Sequence, residues 1–402
     1  MKRFVALLFS MPLLGACVSQ SPLPSSDEGL FAPVGYEALS GWEQEDHASL
    51  LPLIFKECRR LANLPPETAL GGEPSLPNGT KAGDWVGACT ALPKGDAVSP
   101  QEARHYFESW FQPYRMKKEA FYTGYYEPQI EASLKRTSDY TVPLYRRPLD
   151  LVREKATNGE IVFGRWIGQD FQPYDDRAAI DQGSLKGKGL EIAWLKDPVD
   201  LFFLQIQGSG RLLLPDGKVL RVGYSARNGQ PYVPIGQVLV RKGLMAKDDV
   251  TMESLRNWLA AHPDQVQSIL EENPNYVFFK TLPLPPQEGP VGAFGVGLTP
   301  GRSVAIDRTY LPFAAPVWVE TVFPSETPSP SADVMNWDHL TFAQDVGKDI
   351  QGVGRADLFT GWGDQARFVA GNLRHRGHMI LLLPRPATTA LDWSAFRGSY
   401  GQ

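Results

Sequence analysis

The sequence predicts a mainly β fold with a few short helices. Its 402 residues include 38 glycines and 34 prolines, a content that favours a turn-rich chain over a helical bundle. Short runs of Val, Ile, Tyr and Phe recur between these turn residues, as expected for many short strands. With 43% hydrophobic and 21% charged residues, the chain has the composition of a folded protein with one large core or two smaller ones.

The first 16 residues have the pattern of a signal peptide. Two basic residues at positions 2 and 3 precede an apolar stretch over residues 4–14, and small residues follow at 15 and 16. Cys17 comes next, as in the lipobox of bacterial lipoproteins, which predicts cleavage before this cysteine and its acylation. Val18 rather than Asp follows, so we expect a lipid anchor on the periplasmic side of the outer membrane. An ordinary signal peptide with a chance cysteine is the alternative.

A flexible tether is expected over residues 17–35, because this part is rich in Ser, Pro, Gln and Asp. Apolar residues at helical spacing over residues 50–61 predict a first helix. A second helix should begin after Ser99, where a proline and a capping-box Glu102 follow in the first turn.

Cys58 and Cys89 are the two cysteines that remain after position 17. An oxidising periplasm would allow them to form a disulfide, and two separate buried thiols are the alternative. Their number excludes a metal site built from cysteines alone.

The rest of the chain predicts strands separated by turns. The expected strands are residues 121–127, 142–144, 161–163, 201–206, 212–214, 276–279, 303–306, 317–322 and 379–383. Helices are expected at 235–244 and 252–261, and residues 215–218 have the chemistry of a hairpin turn. The glycines of 282–301 alternate with apolar residues, which favours loop and strand inside a barrel over an interdomain linker.

Several functional classes are excluded by what the sequence lacks. It has no HExxH, P-loop, GxSxG or SxxK signature, which excludes zinc proteases, NTPases, serine hydrolases and penicillin-binding proteins of the usual kinds. The formal net charge is −5 and no block of basic residues occurs, so nucleic acid is not an expected partner. We expect neither a cofactor nor a metal.

Three aspartates near the C-terminus form the candidate catalytic cluster. Asp345, Asp357 and Asp364 are 12 (345 to 357) and 7 (357 to 364) positions apart, among glycines and aromatic residues. Glycines permit sharp turns and the close approach of a sugar. Neighbouring carboxylates raise the pKa of one member, as a general acid at neutral pH requires. Spacing alone leaves open a structural carboxylate network, a calcium site and an acid/base centre.

Four motifs together resemble those of the MltA family, the membrane-bound lytic murein transglycosylases A. They are TGYYEP at 123–128, QIQGSGR at 205–211, NPNYVFF at 273–279 and the segment of the three aspartates. The resemblance covers residues 36–384, and four motifs in the same order are a specific signal. The chain differs from the family at residues 346–348, where Val-Gly-Lys stands in place of Thr-Gly-Gly.

The resemblance implies a double-psi β-barrel domain interrupted by a second, β-rich insert domain, with a glycan strand in the groove between them. The barrel would comprise residues 36–129 plus 276–390, and the insert residues 130–275.

The resemblance also implies the reaction and its residues. Asp357 corresponds to the single acid/base, with Asp345 and Asp364 in support, in a lytic transglycosylase that cleaves the MurNAc-GlcNAc β-1,4 bond of peptidoglycan. The product would be 1,6-anhydro-MurNAc, because the C6 hydroxyl of the same sugar takes the place of water. Aromatic rings, amides and a hydroxyl are expected to contact the substrate: Tyr125, Tyr126, Gln205, Gln207, Ser209 and Trp362. Core packing is the alternative for the two tyrosines.

Two other functions remain open. One is a non-catalytic scaffold lipoprotein that binds peptidoglycan, and the other is a peptidoglycan hydrolase that gives reducing ends with Asp345 or Glu127 as its base. The expected partners are glycan strands, the outer membrane through the lipid anchor, and other cell-wall enzymes.

Overall fold

A computed structural model describes residues 29–95, 98–155, 160–324, 334–386 and 393–400. The predicted signal peptide, the lipidation site Cys17 and most of the tether lie outside these residues. Within the described ranges, no helix has the length and apolar character needed to cross a membrane.

The described residues of the N-terminal part form three strands and three α-helices. In chain order they are β1 (Phe31–Pro33), α1 (His47–Ala62), α2 (Val86–Thr90), α3 (Pro100–Trp110), β2 (Phe111–Met116) and β3 (Ala120–Glu127). β1 pairs with β2, so the described end of the segment expected to be a tether contains regular structure. Ser99 and Glu102 cap α3 reciprocally, as predicted.

The middle of the chain forms the insert. Its elements are β4 (Gln129–Ser133), β5 (Val142–Tyr145), β6 (Val152–Lys155), β7 (Ile161–Ile167), β8 (Asp170–Pro173), α4 (Arg177–Asp181), β9 (Glu191–Leu195), α5 (Pro198–Gln207), β10 (Ser209–Leu213), β11 (Val219–Arg227), α6 (Ile235–Arg241), α7 (Met252–Ala261), α8 (Val266–Glu271) and β12 (Val277–Leu282). Six strands form one sheet in the order β12-β11-β10-β4-β9-β5, and β6, β7 and β8 form a second. Because β12 belongs to the first sheet, the insert extends beyond residue 275.

The C-terminal part completes a barrel. It contains β13 (Ser303–Ile306), β14 (Pro316–Pro324), β15 (Val334–Asp345), β16 (Arg355–Trp362), α9 (Gly363–Asn372), β17 (Arg374–Pro384) and α10 (Trp393–Tyr400). Six strands follow one another in the order β17-β14-β15-β13-β16-β3, and β3 pairs back to β17 and closes the barrel. The pairs β13–β15 and β16–β3 are parallel. A mainly β fold with a barrel and a β-rich insert is therefore confirmed.

The strand predicted at residues 201–206 is wrong, because this segment is helix α5. Asp197 caps the helix by accepting a hydrogen bond from the backbone of Val199, Pro198 occupies its first turn, and Gly208 ends it in a left-handed conformation with φ +78°. α5 is buried on most of its surface, so its apolar run has no polar face that would reveal a helical period.

The barrel core is continuous with the helices that precede it. Trp318 of β14 is fully buried and lies 5.2 Å, centroid to centroid, from the ring of Trp42. Cys58 of α1 and Cys89 of α2 form a disulfide, which ties these helices together beside the barrel. The disulfide lies within the hydrophobic core that these helices share with the barrel.

Candidate active site

Asp357 lies on β16 with its side chain on the outer face of the barrel. Its chain neighbours, Ala356 and Leu358, belong to the barrel core, because side chains alternate across a strand. In register, Asp357 pairs with Ala305 of β13 on one side and with Thr123 of β3 on the other. The barrel thus fixes the backbone of the aspartate from two neighbouring strands.

A chain of hydrogen bonds orients the carboxyl group of Asp357. Arg355 donates from Nη2 to Oγ1 of Thr123 at 2.8 Å, and the hydroxyl of Thr123 donates to Oδ1 of Asp357. An arginine has no acceptor, so the threonine must accept from it and direct its own proton to the aspartate. Oδ1 is therefore an acceptor, and Oδ2 is the oxygen that remains available to carry a proton.

The surroundings of Asp357 favour its protonated form. Burial raises the pKa of its carboxyl group above the usual range, and the negative charge of Asp345 acts in the same direction. The hydrogen bond from Thr123 and the positive charge of Arg355 oppose this shift without reversing it. Such a carboxyl group is suited to act as a general acid.

Asp345 is held as an acceptor next to this group. Its Oδ2 accepts from the Tyr125 hydroxyl at 2.9 Å, and its Oδ1 accepts from the backbone amide of Ala293 at 2.9 Å. Burial, and then the charge of Asp345, raise the pKa of Tyr125 well above its usual range, so this tyrosine remains a donor. Both carboxylate oxygens of Asp345 are thus engaged by the protein.

A cavity of about 200 Å³, here called the groove cavity, lies between the barrel and the insert beside Asp345. Its lining residues are Tyr125, Tyr126, Glu127, Pro128, Gln207, Ser209, Pro290, Val291, Leu298, Asp345 and Phe359. Barrel strands supply the tyrosines and the aspartate, whereas the glutamine and the serine come from the end of α5 and the start of β10. The structure thus brings together five of the residues predicted for the site.

Gly124, between Thr123 and the groove tyrosines, permits a close contact with α9. A Cβ atom at this position would lie 2.8 Å from Cα of Ala370, closer than real side chains approach backbone. A glycine within the TGYYEP motif therefore lets α9 pack directly on β3 and fixes the strand that carries Thr123 and Tyr125.

Three predicted residues lie outside this cluster. Gln205 is buried, and its amide accepts from Arg177 and donates to the carbonyl of Val277. The Asp364 side chain is 95% exposed and pairs with Arg367 at 3.2 Å on the surface of α9.

Trp362, the third, is half-buried at the end of β16. The guanidinium carbon of Arg211 lies 4.0 Å from the centroid of its ring, so this side chain occupies one face of the indole.

Glu127 joins the two domains through a buried ion pair. Its Oε1 accepts from Nη2 of Arg221 at 2.6 Å, and Nη1 of Arg211 lies 3.9 Å from its Oε2. All three side chains are at most 3% exposed, and the two arginines belong to strands of the insert. Glu127 thereby holds the insert against the end of β3.

Thr123 and Arg355 belong to the site but were not predicted from the sequence. Both belong to motifs that were recognised, one as the first residue of TGYYEP and the other two positions before Asp357. Their contact joins segments that are 232 residues apart, and no local pattern reveals it.

Across the part of the chain that the structure describes, no group of three or more His, Cys, Asp and Glu residues is placed to hold a metal ion.

Comparisons with known proteins identify two domains in the chain. Residues 121–280 match the MltA specific insert domain, and residues 302–383 match the 3D domain. The membrane-bound lytic murein transglycosylase A of Vibrio cholerae is 31% identical over 281 residues, which are 68% of each protein.

Solved structures are similar over most of the chain. The membrane-bound lytic murein transglycosylase of Agrobacterium tumefaciens is 34% identical with a TM-score of 0.66, and the match covers 89% of this chain and 98% of that one. MltA from Neisseria gonorrhoeae is 29% identical with a TM-score of 0.69, and the match covers 90% and 94%.

The fold and the site define a two-domain protein in which a 3D-domain barrel carries an MltA-type insert and an aspartate-containing groove. The chain is an enzyme of the class for which its relatives are named, the lytic transglycosylases. It belongs to the membrane-bound lytic murein transglycosylase A family.

Proposed function

We propose that this enzyme cleaves the MurNAc-GlcNAc β-1,4 bond of peptidoglycan and forms 1,6-anhydro-MurNAc, with Asp357 as acid and then as base. The observation that carries the proposal is the environment of Asp357. Burial is the largest cause that raises the pKa of its carboxyl group. One carboxyl oxygen accepts a hydrogen bond from Thr123, and the other is available to hold a proton. Membership of the family supports the assignment of peptidoglycan as the substrate.

In the first step, Oδ2 of Asp357 gives its proton to the glycosidic oxygen as the bond from that oxygen to C1 of MurNAc breaks. Positive charge then develops on the sugar ring. The carboxylate of Asp345, held by Tyr125 and by a backbone amide, contributes a fixed negative charge nearby.

In the second step, the C6 hydroxyl of the same MurNAc attacks C1, and Asp357, now a carboxylate, takes the hydroxyl proton. The reaction neither consumes nor releases a proton overall, because Asp357 regains a proton in place of the one that it gave. Intramolecular attack is favoured by effective concentrations of about 10⁵ M or more for well-oriented groups. A single carboxyl group is therefore sufficient.

The contacts that Asp345 and Glu127 make within the protein favour this reaction over hydrolysis. A hydrolase needs a second carboxylate as nucleophile or as the base for a water molecule. Asp345 uses both oxygens within the protein, and Glu127 is buried in its ion pair with Arg221. We therefore assign Asp345 a supporting role and Asp364, which faces solvent, none in the reaction.

The glycan would lie along the groove cavity. Tyr125 and Tyr126 on the barrel side offer ring faces to sugars, and Gln207 and Ser209 on the insert side offer polar groups to N-acetyl substituents. Gln205 would act indirectly, by holding the segment that carries Gln207.

The N-terminal signals support a place at the cell envelope. We propose that Cys17 is acylated and that its lipid anchors the enzyme to the periplasmic side of the outer membrane. The residues between the anchor and β1 would then separate the barrel from the membrane.

The test is the release of soluble fragments from purified sacculi by Asp357→Asn. We expect a correctly folded protein whose rate is lower by about 10²- to 10⁴-fold, which is what removal of a general acid costs. Asp364→Asn in the same segment is the matched control and should retain the wild-type rate. Substantial activity of Asp357→Asn would refute the assignment.

A further inference from the structure

Positive charge is concentrated on the outer face of the barrel beside the proposed acid. We call this surface the arginine face and define it by Arg355, Arg374 and Arg376 around the ring of Phe121. These residues lie on three adjacent strands, because Phe121 pairs in register with Arg355 of β16 and with Arg376 of β17.

The arginine face adjoins the catalytic aspartate directly. Asp357, Thr123 and Arg374 form one row across β16, β3 and β17, and Arg355, Phe121 and Arg376 form the next. Residues in register on adjacent strands present their side chains on the same side of a sheet. With neighbouring strands about 4.8 Å apart, the backbone of Arg374 lies roughly 10 Å from that of Asp357.

Much of this charge is available to a ligand. Arg374 is exposed, and no ion pair joins it to any residue within the described ranges. Arg376 is 71% exposed and shares its charge with the exposed Glu119 at 3.4 Å. Arg355, whose guanidinium carbon lies 5.5 Å from the ring centroid of Phe121, donates to Thr123 and to the carbonyl of Ala356, so Arg374 and Arg376 carry the charge that a ligand can reach. Phe121 is 38% exposed. A cationic surface with an apolar centre thus lies open in a chain of net charge −5.

We propose that the arginine face binds the carboxylates of the peptide stem on the muramoyl residue next to the cleaved bond, an inference that rests on the proposed function. In peptide-bearing glycan the lactyl group is an amide, so the negative charge lies on carboxylates of the peptide. Arginine is suited to carboxylates through its planar set of donors, and Phe121 offers apolar surface to alanine side chains. The stem leaves the sugar whose C1 reacts at Asp357, which places it within reach of this surface.

The experiment measures binding without cleavage. The mature chain in detergent, carrying Asp357→Asn, is titrated by calorimetry with peptide-bearing glycan fragments and with uncharged chitohexaose. Adding Arg374→Gln and Arg376→Gln should weaken binding of the peptide-bearing glycan about tenfold at low salt and leave that of chitohexaose unchanged. Arg241→Gln, at an exposed arginine of α6 in the insert, is the matched control and should change neither.

The outcomes separate this inference from the proposed function. Equal losses for both ligands would mean that the arginines only support the shape of the groove, and no loss for either would mean that the face is not used; both results overturn the inference. Failure of the wild-type enzyme to release fragments from sacculi would overturn the proposed function instead, and a binding experiment alone would not produce that result.

Discussion

Replacing Thr123 with Val tests whether the hydroxyl of this residue orients the proposed acid. Valine keeps the shape of the side chain and removes the donor to Oδ1 of Asp357. A hydrogen bond to a charged group contributes about 1.5–3 kcal/mol, so its loss should lower kcat/KM about 10- to 160-fold. Since this hydrogen bond lowers the pKa of Asp357, its removal should raise that pKa further.

The sign of the pH effect distinguishes orientation from a general loss of structure. A general acid must be protonated, so activity falls as pH rises through the pKa of Asp357. The alkaline limb of the rate profile should therefore move to higher pH in Thr123→Val, although the maximum rate is lower. Thr123→Ser retains the donor and should restore both rate and profile. A Thr123→Val enzyme with wild-type rate and an unmoved alkaline limb would show that the reasoning is wrong.

Three further predictions concern stability, measured by urea unfolding. Burial raises the pKa of Glu57 from 4.5 to about 8, so the stability that its neutral form contributes is complete below pH 4.5 and is lost as pH rises to about 8. Glu57→Gln should remove a dependence of the free energy of unfolding on pH of about 1.4 kcal/mol per pH unit in that window. Equal pH dependences in the wild-type protein and the variant would contradict this. Arg221→Met should cost about 3–5 kcal/mol because it leaves Glu127 buried without its partner, and a cost below 1 kcal/mol would mean that the pair is not needed. Replacing Cys58 and Cys89 by Ser should cost about 3–4 kcal/mol, as expected for a crosslink across 31 residues, whereas unchanged stability would exclude a disulfide in the mature protein.

Local chemistry in the sequence predicted some elements well. The capping box at Ser99 gave the start of α3, and turn residues gave the hairpin between β10 and β11, because both signals lie within a few consecutive residues. The apolar run of α5 gave the wrong element, since a helix buried on most of its surface shows no alternation by which it differs from a buried strand.

The candidate site was only partly predictable. Motifs identified Asp357, Asp345 and Tyr125, but not that β16 runs parallel to β3, which alone brings Thr123 next to Asp357. The glycines around the aspartates indicated sharp turns, whereas two of the three acids lie on barrel strands. Long-range pairing decides these positions, and composition and spacing carry no information about it.

Motif membership also did not distinguish groove residues from supporting ones. Gln205 and Gln207 are two positions apart in the same motif, yet the first is buried against Arg177 and the second is exposed beside the groove cavity. Their orientations follow from the last turn of α5, which the sequence did not predict as a helix.

The proposed reaction is tested most simply by mass spectrometry of the muropeptides that a soluble form beginning at residue 18 releases from purified sacculi. The proposed mechanism predicts products lighter by one water than muropeptides with reducing ends, because the C6 hydroxyl has replaced water as the nucleophile. Products with reducing ends would contradict it and establish hydrolysis, and the absence of released products would indicate a protein that binds the glycan without cleaving it.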